Sequence, residues 1–118
     1  MNRKELINYI KENYNVEPEC LWIKYPNYIV FRHKSNSKWF VAIMDVLDIK
    51  LSNNGSGDIV DIINLKVMPN LTGSLRLKKG VYPAYHMNKE HWVSISLSSE
   101  FDDRELKSLI AESYNLTQ

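Results

Sequence analysis

The first segment of the chain alternates apolar and polar residues with the period of an amphipathic helix. Its apolar positions follow the i, i+3, i+4 spacing of one helix face: Leu6, Ile7, Ile10 and Tyr14. Asn2 and Glu5 stand where a capping box places its N-cap and N3 residues. The pattern therefore predicts a helix over residues 3–13, with its polar face turned to solvent.

The middle of the chain has the pattern of antiparallel strands. Residues 28–33 have a strand pattern in which Ile29 and Phe31 face one side and Val30 and Arg32 the other, and residues 38–46 form an apolar strand after the turn-forming 35–37. These two strands predict a hairpin. A second hairpin is predicted between residues 47–51 and the β-branched run 59–67, because the Asn- and Gly-rich segment 53–57 separates them.

The third quarter of the chain predicts a short helix and a further strand. Pro69 fits the first turn of a helix that runs through Lys79 and ends at Gly80. Residues 91–97 then alternate, with Val93, Ile95 and Leu97 on one face and Trp92, Ser94 and Ser96 on the other. This pattern predicts a strand with one buried side.

The last segment has the clearest helix signals. Asp102 and Glu105 form a capping-box pair, and Phe101 and Leu106 occupy the positions of a hydrophobic staple. Strands flanked by terminal helices, without regular βαβ alternation, favour an α+β fold. We expect an antiparallel sheet with helices at both termini packed on one face. A length of 118 residues is typical of a single domain over residues 1–118.

Composition narrows the function classes only slightly. Fifteen Lys and Arg against fourteen Asp and Glu give a net charge of +1, which counts modestly against a strong nucleic-acid binder. The lone Cys20 has no internal partner for a disulfide. No apolar run is long enough for a signal peptide or a membrane span, so the expected location is the cytoplasm.

The segment from Gly80 to Trp92 is dense in aromatic and hydrogen-bonding side chains. Tyr82, Tyr85 and Trp92 offer stacking faces, whereas four other residues could donate hydrogen bonds to a phosphate or an acid: His86, Asn88, Lys89 and His91. The alternative is a structural corner whose polar groups satisfy one another. Both interpretations stay open.

Metal binding and catalysis find little support in the residues. His86 and His91 would need further ligands, and only His33 and Glu90 are plausible, so we predict no metal site and no cofactor. No nucleophile or orienting carboxylate accompanies either histidine, so an enzyme is not expected. Basic residues cluster in two places, where they could equally cap a helix or keep a hairpin edge soluble: Arg76, Lys78 and Lys79, and Arg32, Lys34 and Lys38.

Several residue blocks spread over nearly the whole chain form a recognisable order: Trp22, Tyr25-Pro26, Val30-Phe31-Arg32-His33, Lys38-Trp39-Phe40, Asn64-Leu65-Lys66, Gly80 to Trp92, and Ser113-Tyr114. Together these blocks resemble the MmcQ/YjbR family, most specifically in Pro83-Ala84-Tyr85-His86-Met87-Asn88-Lys89 followed by His91-Trp92. Members often carry Cys after the Asn-Leu-Lys stretch, where this chain has Val67. A thiol function at that place is therefore not expected here.

The resemblance implies a two-layer, CyaY-like (bacterial frataxin-like) architecture and a DNA-binding role of unspecified detail. In that role the phosphates would contact Arg32, Lys34, Lys38 and Lys89, while Tyr85 or Trp92 would stack on a base. The alternative is a module for a small anionic ligand or a protein partner, with its site at Tyr85, His86, Asn88, Lys89, His91 and Trp92. Frataxin-like iron binding is not expected, because Asn2-Arg3-Lys4-Glu5 offers no carboxylate ridge.

Overall fold

Five strands form one antiparallel sheet, and helices from both ends of the chain pack on one of its faces. The computed structural model describes all residues from Met1 to Gln118. Its elements are α1 (Arg3–Tyr14), β1 (Ile29–Arg32), β2 (Trp39–Leu47), β3 (Ile59–Lys66), α2 (Thr72–Arg76), β4 (Val81–Pro83), β5 (Trp92–Ser96) and α3 (Asp103–Leu116). The strand order is β1-β2-β3-β5-β4, so the α+β fold and the first predicted hairpin are confirmed. The second hairpin joins β2 directly to β3, and the strand predicted over residues 47–51 is wrong, because Asp48–Lys50 form a 3-10 turn.

Both terminal helices begin at the predicted caps. The side chain of Asn2 accepts a hydrogen bond from the Glu5 amide and the Glu5 carboxylate accepts one from the Asn2 amide, each at 2.9 Å. At α3 only half of the predicted capping box forms. Asp102 accepts from the Glu105 amide, but the Glu105 carboxylate is drawn to the ammonium of Lys78 at 2.7 Å.

The helix-covered face of the sheet contains the larger core. Leu6 and Ile10 of α1 and the apolar stripe of α3 bury the aliphatic side chains of the strands. The most completely buried members include Phe31, Phe40, Ile43, Ile63, Leu65, Val93, Ile95 and Ile110. Burial of this apolar surface is the main favourable term that attaches the helices to the sheet.

An irregularity in β2 gives α3 a polar attachment to the sheet. Phe31 pairs with Val41 and the next residue of β1 pairs with Trp39, so Phe40 is an extra residue on β2. The buried hydroxyl of Ser113 donates to the Phe40 carbonyl at 2.6 Å and accepts from the Lys66 amide at 2.9 Å. Ser113 thus satisfies two backbone groups at the end of the ladder.

The opposite face of the sheet, which we call the outer face, carries no helix. Its smaller core is covered by the segment between α1 and β1 and by the segment around Tyr85. The prediction of one buried side for the strand at 91–97 is therefore wrong, since Ser94 and Ser96 are also buried. Their hydroxyls are hydrogen-bonded, which removes the cost of burying them.

The segment between β3 and β4 is less helical than predicted. It forms a 3-10 turn over Pro69–Leu71 and then only the five residues of α2, which end at Arg76 rather than at Lys79. Gly73 lies inside α2 and no side chain caps its start, so little favours a longer helix. No helix of the protein is both long and apolar enough to cross a bilayer.

Candidate functional site

The nine residues predicted to form a site fall into three places. One group lies at the hairpin between β1 and β2: Arg32, Lys34 and Lys38. A second pair, Tyr85 and His86, lies over the outer face. The remainder lie in the turn that leads into β5 and in its first residue: Asn88, Lys89, His91 and Trp92. The fold therefore does not bring all nine together.

Arg32 forms a salt bridge with another residue of this chain. Its guanidinium donates two hydrogen bonds of 2.7 Å to the carboxylate of Glu19. These bonds hold the pKa of Glu19 below its usual value and raise the pKa of Arg32. Lys34 and Lys38 are exposed and form no ion pair. Of the three hairpin cations, only the two lysines are available to an external anion.

The turn into β5 is a self-satisfied corner. The side-chain oxygen of Asn88 accepts from the amides of Glu90 at 2.8 Å and His91 at 3.3 Å. The backbone carbonyl of Asn88 accepts a hydrogen bond from the Trp92 amide at 3.0 Å. The His91 carbonyl in turn accepts from the Val67 amide. For this half of the dense segment the structural interpretation accounts for the Asn88 side-chain oxygen and the backbone groups of the turn.

The other half of that segment is pinned onto the outer face by a buried polar network. The backbone of Tyr85 donates to the Ser94 hydroxyl at 2.8 Å and accepts from the Asn64 amide group at 3.1 Å. The Ser94 hydroxyl donates to the Asn64 side-chain oxygen, which closes the set. We call these three groups the Asn64 network. It fixes the position of the next residue, His86, whose φ of 59° lies in the left-handed region.

Beside this anchored segment lies an open depression of about 290 Å³, which we call the aromatic cleft. Its lining is formed by Trp22, Tyr25, Tyr28, Trp39, Met44, His86 and Met87. The ring of Trp22 stands nearly perpendicular to Trp39, at 5.6 Å and 73°, and to Tyr28, at 5.8 Å and 78°. Tyr25 stacks on Tyr28 at 4.7 Å and 13°. These four rings make the cleft strongly aromatic.

The wall of the cleft is fixed by the backbone of the segment before β1. Glu19 and Val30 exchange two backbone hydrogen bonds of 2.9 Å, which add a bridge beside β1. Farther along, the Tyr28 amide donates to the Tyr25 carbonyl at 3.0 Å and closes a turn. These bonds bracket the segment that contains Trp22, so the ring is held against the sheet.

A second depression, of about 270 Å³, adjoins the aromatic cleft and shares Tyr25 and Tyr28 with it. Its remaining lining includes Tyr85, Asp45, Leu47, Lys50 and Ile59. Burial raises the pKa of the Tyr28 phenol above its usual value, and the nearby Tyr85 and Asp45 raise it further. Tyr28 therefore remains a neutral phenol under ordinary conditions.

No three His, Cys, Asp or Glu side chains come together in an arrangement that could hold a metal ion. A polar depression of about 470 Å³ near the end of α1 includes Glu19 and Arg32, which pair with each other. Lys11 and Glu17, which also line it, approach at 3.4 Å. Its charges are thus largely engaged with one another.

Sequence analysis did not select most of the residues that line the aromatic cleft. Trp22, Tyr25 and Trp39 belong to the recognisable blocks, yet the aromatic residues that suggested a site all lay in the dense segment 80–92. Trp22 and Trp39 lie seventeen positions apart, and the antiparallel pairing of β1 with β2 brings them together. The available signal was a concentration of aromatic residues in two separate blocks.

Comparison with known proteins identifies the lineage of the chain. The family model described as YjbR matches residues 12–116. The chain belongs to the YjbR family. The match includes every residue that lines the aromatic cleft and all of the Asn64 network. The family resemblance stated from the sequence is therefore confirmed.

Relatives of this YjbR-family chain agree in sequence and in fold. It is 43% identical to the uncharacterized protein YyaQ of Bacillus subtilis over 118 residues, covering 100% of this chain and 99% of YyaQ. It is 29% identical to the uncharacterized protein YbdF of Escherichia coli, covering 83% and 70%. A crystal structure of a Pseudomonas syringae protein matches with a TM-score of 0.95 at 45% identity, over 100% of both chains. These relatives establish the fold and carry no named activity.

Proposed function

We propose that this YjbR-family chain is a binding protein and that its aromatic cleft receives part of a small ligand. The observation that carries the proposal is a concave, mostly apolar surface of two Trp, two Tyr and two Met on a sheet face without helices. Ligand sites in proteins are concave, largely apolar and supplied with few polar groups. The only imidazole in the lining is His86, and no carboxylate joins it, which supports binding rather than catalysis.

The size of the aromatic cleft limits what it can hold. Its volume of about 290 Å³ lies at the lower end of the range of ~300–1,000 Å³ for ligand pockets. A single ring or headgroup fits this volume, whereas a large cofactor does not. The anchored position of His86 supports a preformed site, because the Asn64 network holds the rim against the sheet.

Nuclear magnetic resonance of the three indole N–H groups tests this proposal directly. Trp22 and Trp39 line the aromatic cleft, whereas Trp92 lies on β5, two strands away from Trp39. Phenol, indole and tetramethylammonium would each be titrated to millimolar concentration. We expect at least one of them to shift the Trp22 and Trp39 signals in a saturable way and to leave Trp92 unchanged.

Two variants make the assignment specific. Trp39→Leu should abolish the saturable shift at Trp22, whereas Trp92→Phe should leave it intact. If none of the three compounds shifts either cleft signal, or if Trp92 responds equally, the proposed function is wrong.

Nucleic-acid binding, which the family resemblance implied, is the second candidate function. The favouring observation is that cationic residues lie beside aromatic residues of the outer face, in the sheet or in sequence. Lys66 is paired across strands with Trp92, and the exposed Lys38 precedes Trp39. Single-stranded nucleic acids bind where bases stack on aromatic rings beside cations that contact phosphates.

Fluorescence anisotropy of labelled single- and double-stranded DNA tests this second candidate. Binding should weaken steeply with salt and should be reduced by Lys38→Ala and Lys66→Ala. Lys4→Ala, on α1 and so on the opposite layer, is the charge-matched control. An unchanged anisotropy at low salt and high protein concentration would remove DNA as a partner of this chain.

A further inference from the structure

We propose that the group received by the aromatic cleft is an alkylated ammonium, such as the trimethylammonium headgroup of choline. This inference rests on the proposed function, because it names the ligand chemistry of the same cleft. It depends on three properties of the cleft: the orientation of its rings, the absence of resident cations, and the scarcity of hydrogen-bond acceptors.

The rings are oriented to surround a rounded group. Trp22 stands nearly perpendicular to both Trp39 and Tyr28, with interplanar angles of 73° and 78°. Two perpendicular rings that meet at a corner can both turn a face toward a group lying in that corner. The face of an aromatic ring is the negative part of its quadrupole, so a cation within ~6 Å of the ring centre is attracted. A flat ligand would match only one such face.

The electrostatic surroundings also favour a cation. No Lys or Arg side chain lines the aromatic cleft, so no resident cation already occupies the ring faces. The carboxylate of Asp45 lies in the adjoining depression, where it is close enough to raise the pKa of Tyr28. The amide group of Asn27 donates to Asp45 at 3.0 Å and holds it there. Lys50, which shares that depression, does not line the aromatic cleft.

The choice of an alkylated rather than a primary ammonium follows from hydrogen bonding. A primary ammonium has three N–H donors. On entering the cleft they lose their hydrogen bonds to water and need protein acceptors to replace them. The lining of rings, thioethers and one imidazole supplies few such acceptors. A trimethylammonium group has no N–H to satisfy, and its methyl groups contact Met44 and Met87 favourably because thioethers are soft and polarizable.

Choline and its neutral analogue 3,3-dimethyl-1-butanol separate the charge from the shape of the ligand. The two molecules differ by a carbon in place of the charged nitrogen. Each would be titrated against the intact protein while the indole N–H signals of Trp22 and Trp39 are followed. We expect choline to bind on the order of tenfold more tightly than the neutral analogue, the size of a partly desolvated cation–π contribution.

The variants assign this preference to the aromatic cleft. Trp39→Leu should reduce choline affinity on the order of tenfold, whereas Trp39→Phe, which retains a weaker ring face, should lose less. Trp92→Phe is the matched control and should bind choline as the unchanged protein does. Far-ultraviolet circular dichroism would establish that each variant remains folded, and the Trp39→Phe measurement keeps the test valid if Trp39→Leu does not fold.

The outcomes separate this inference from the proposed function. If the neutral analogue binds as tightly as choline, the alkylated-ammonium inference is overturned while a ligand-binding cleft stands. If choline, its neutral analogue, phenol and indole all fail to shift the Trp22 and Trp39 signals, both the alkylated-ammonium inference and the proposed function are overturned. A trimethyllysine peptide that binds more tightly than choline would identify a modified protein as the source of the headgroup. An unmethylated peptide that binds equally well would overturn the inference.

Discussion

The two faces of the sheet differ in how completely their side chains are covered. On the helix-covered face, aliphatic side chains from strands and helices exclude solvent completely around residues such as Ile63 and Ile110. On the outer face, loops supply aromatic rings and a buried polar network, and the covering stops short of closing. The helix-covered face is thus committed to stability, whereas part of the outer face is available for binding.

Two adjacent residues of β2 summarise this difference. Phe40 is fully buried on the helix-covered face, where it contacts the rings of Tyr14, His33 and Tyr114. Trp39 points to the outer face, where it is only partly buried and lines the aromatic cleft. Consecutive strand residues normally face opposite sides of a sheet, as Trp39 and Phe40 do, whereas the bulge at Phe40 places both Phe40 and Val41 in the core under the helices.

The largest expected effect comes from truncating these two neighbours separately. Phe40→Ala should lower the free energy of unfolding by about 3–5 kcal/mol, because it leaves a cavity in a packed core. Trp39→Ala should lower it by about 1–2 kcal/mol, because its side chain is only partly buried and borders an open cleft rather than a closed core. Urea denaturation followed by circular dichroism measures both.

In ligand titrations, Trp39→Ala rather than Phe40→Ala should have the larger effect. Trp39→Ala should remove the saturable shift at Trp22, which Phe40→Ala should retain under conditions where it is folded. Equal stability losses for the two variants would contradict the division of labour between the faces.

The next effect concerns the Asn64 network. Asn64→Leu should cost about 3 kcal/mol of unfolding free energy, because the Ser94 hydroxyl and the Tyr85 carbonyl lose a buried partner. Because the network holds the segment that leads to His86, the same variant should also weaken binding in the aromatic cleft. The measurements are chemical denaturation and the indole titration.

A double-mutant cycle with Ser94→Ala checks the physical cause. If the two side chains act through their shared hydrogen bond, the cost of both changes together should be smaller than the sum of the single costs. Ser96→Ala, at a neighbouring buried position of β5, is the control and should add independently to Asn64→Leu. Additivity at Ser94 would show that the network does not act as a unit.

The division between the faces was only partly predictable from sequence. Capping pairs and helical periodicity located α1 and α3, because these signals depend on residues a few positions apart. The burial of Ser94 was missed, since a polar residue on an alternating strand normally faces water. Its burial depends on Asn64, which lies 30 positions away and becomes its neighbour only when β3 pairs with β5.

The candidate site shows the same limit. The density of aromatic residues drew attention to segment 80–92, and the structure places His86 and Met87 from it in the aromatic cleft. The remaining wall comes from Trp22 and Trp39, whose approach depends on the register of a different hairpin. Conversely, Asn88 has the residue type of a ligand contact but satisfies backbone amides of its own turn. Residue types can be read from the sequence, whereas the residues that come together in space depend on how the strands pair.

A smaller effect is expected from the serine that joins α3 to the sheet. Ser113→Ala should lower the free energy of unfolding by about 2 kcal/mol, since the Phe40 carbonyl and the Lys66 amide lose their only bridging partner. Chemical denaturation measures this loss. Ser108→Ala, at an exposed position of α3, is the matched control and should change stability little.

Binding in the aromatic cleft should be unaffected by Ser113→Ala, because Ser113 acts from the helix-covered face. A loss of binding without a loss of stability would contradict the separation of the faces.

The smallest effect concerns the Glu19–Arg32 ion pair beside the wall of the aromatic cleft. The Arg32 guanidinium holds the pKa of Glu19 below its usual value in the folded protein. The unfolded chain therefore takes up the proton first as pH falls. The stabilisation is present above about pH 4.5 and is lost as the pH drops through the lowered pKa of the folded state.

Glu19→Gln should therefore reduce stability at neutral pH, and its difference from the unchanged protein should shrink toward pH 3. Thermal unfolding across this range measures the difference, with the more exposed Glu17→Gln as the charge-matched control. Because Glu19 also bridges to Val30 through its backbone, which the substitution retains, the cleft signals should shift only slightly. If the stability difference between Glu19→Gln and the unchanged protein grew as the pH fell, the lowered pKa of Glu19 would be contradicted. Complete loss of ligand binding in this variant would show that the side-chain pair, rather than the backbone bridge, positions Trp22.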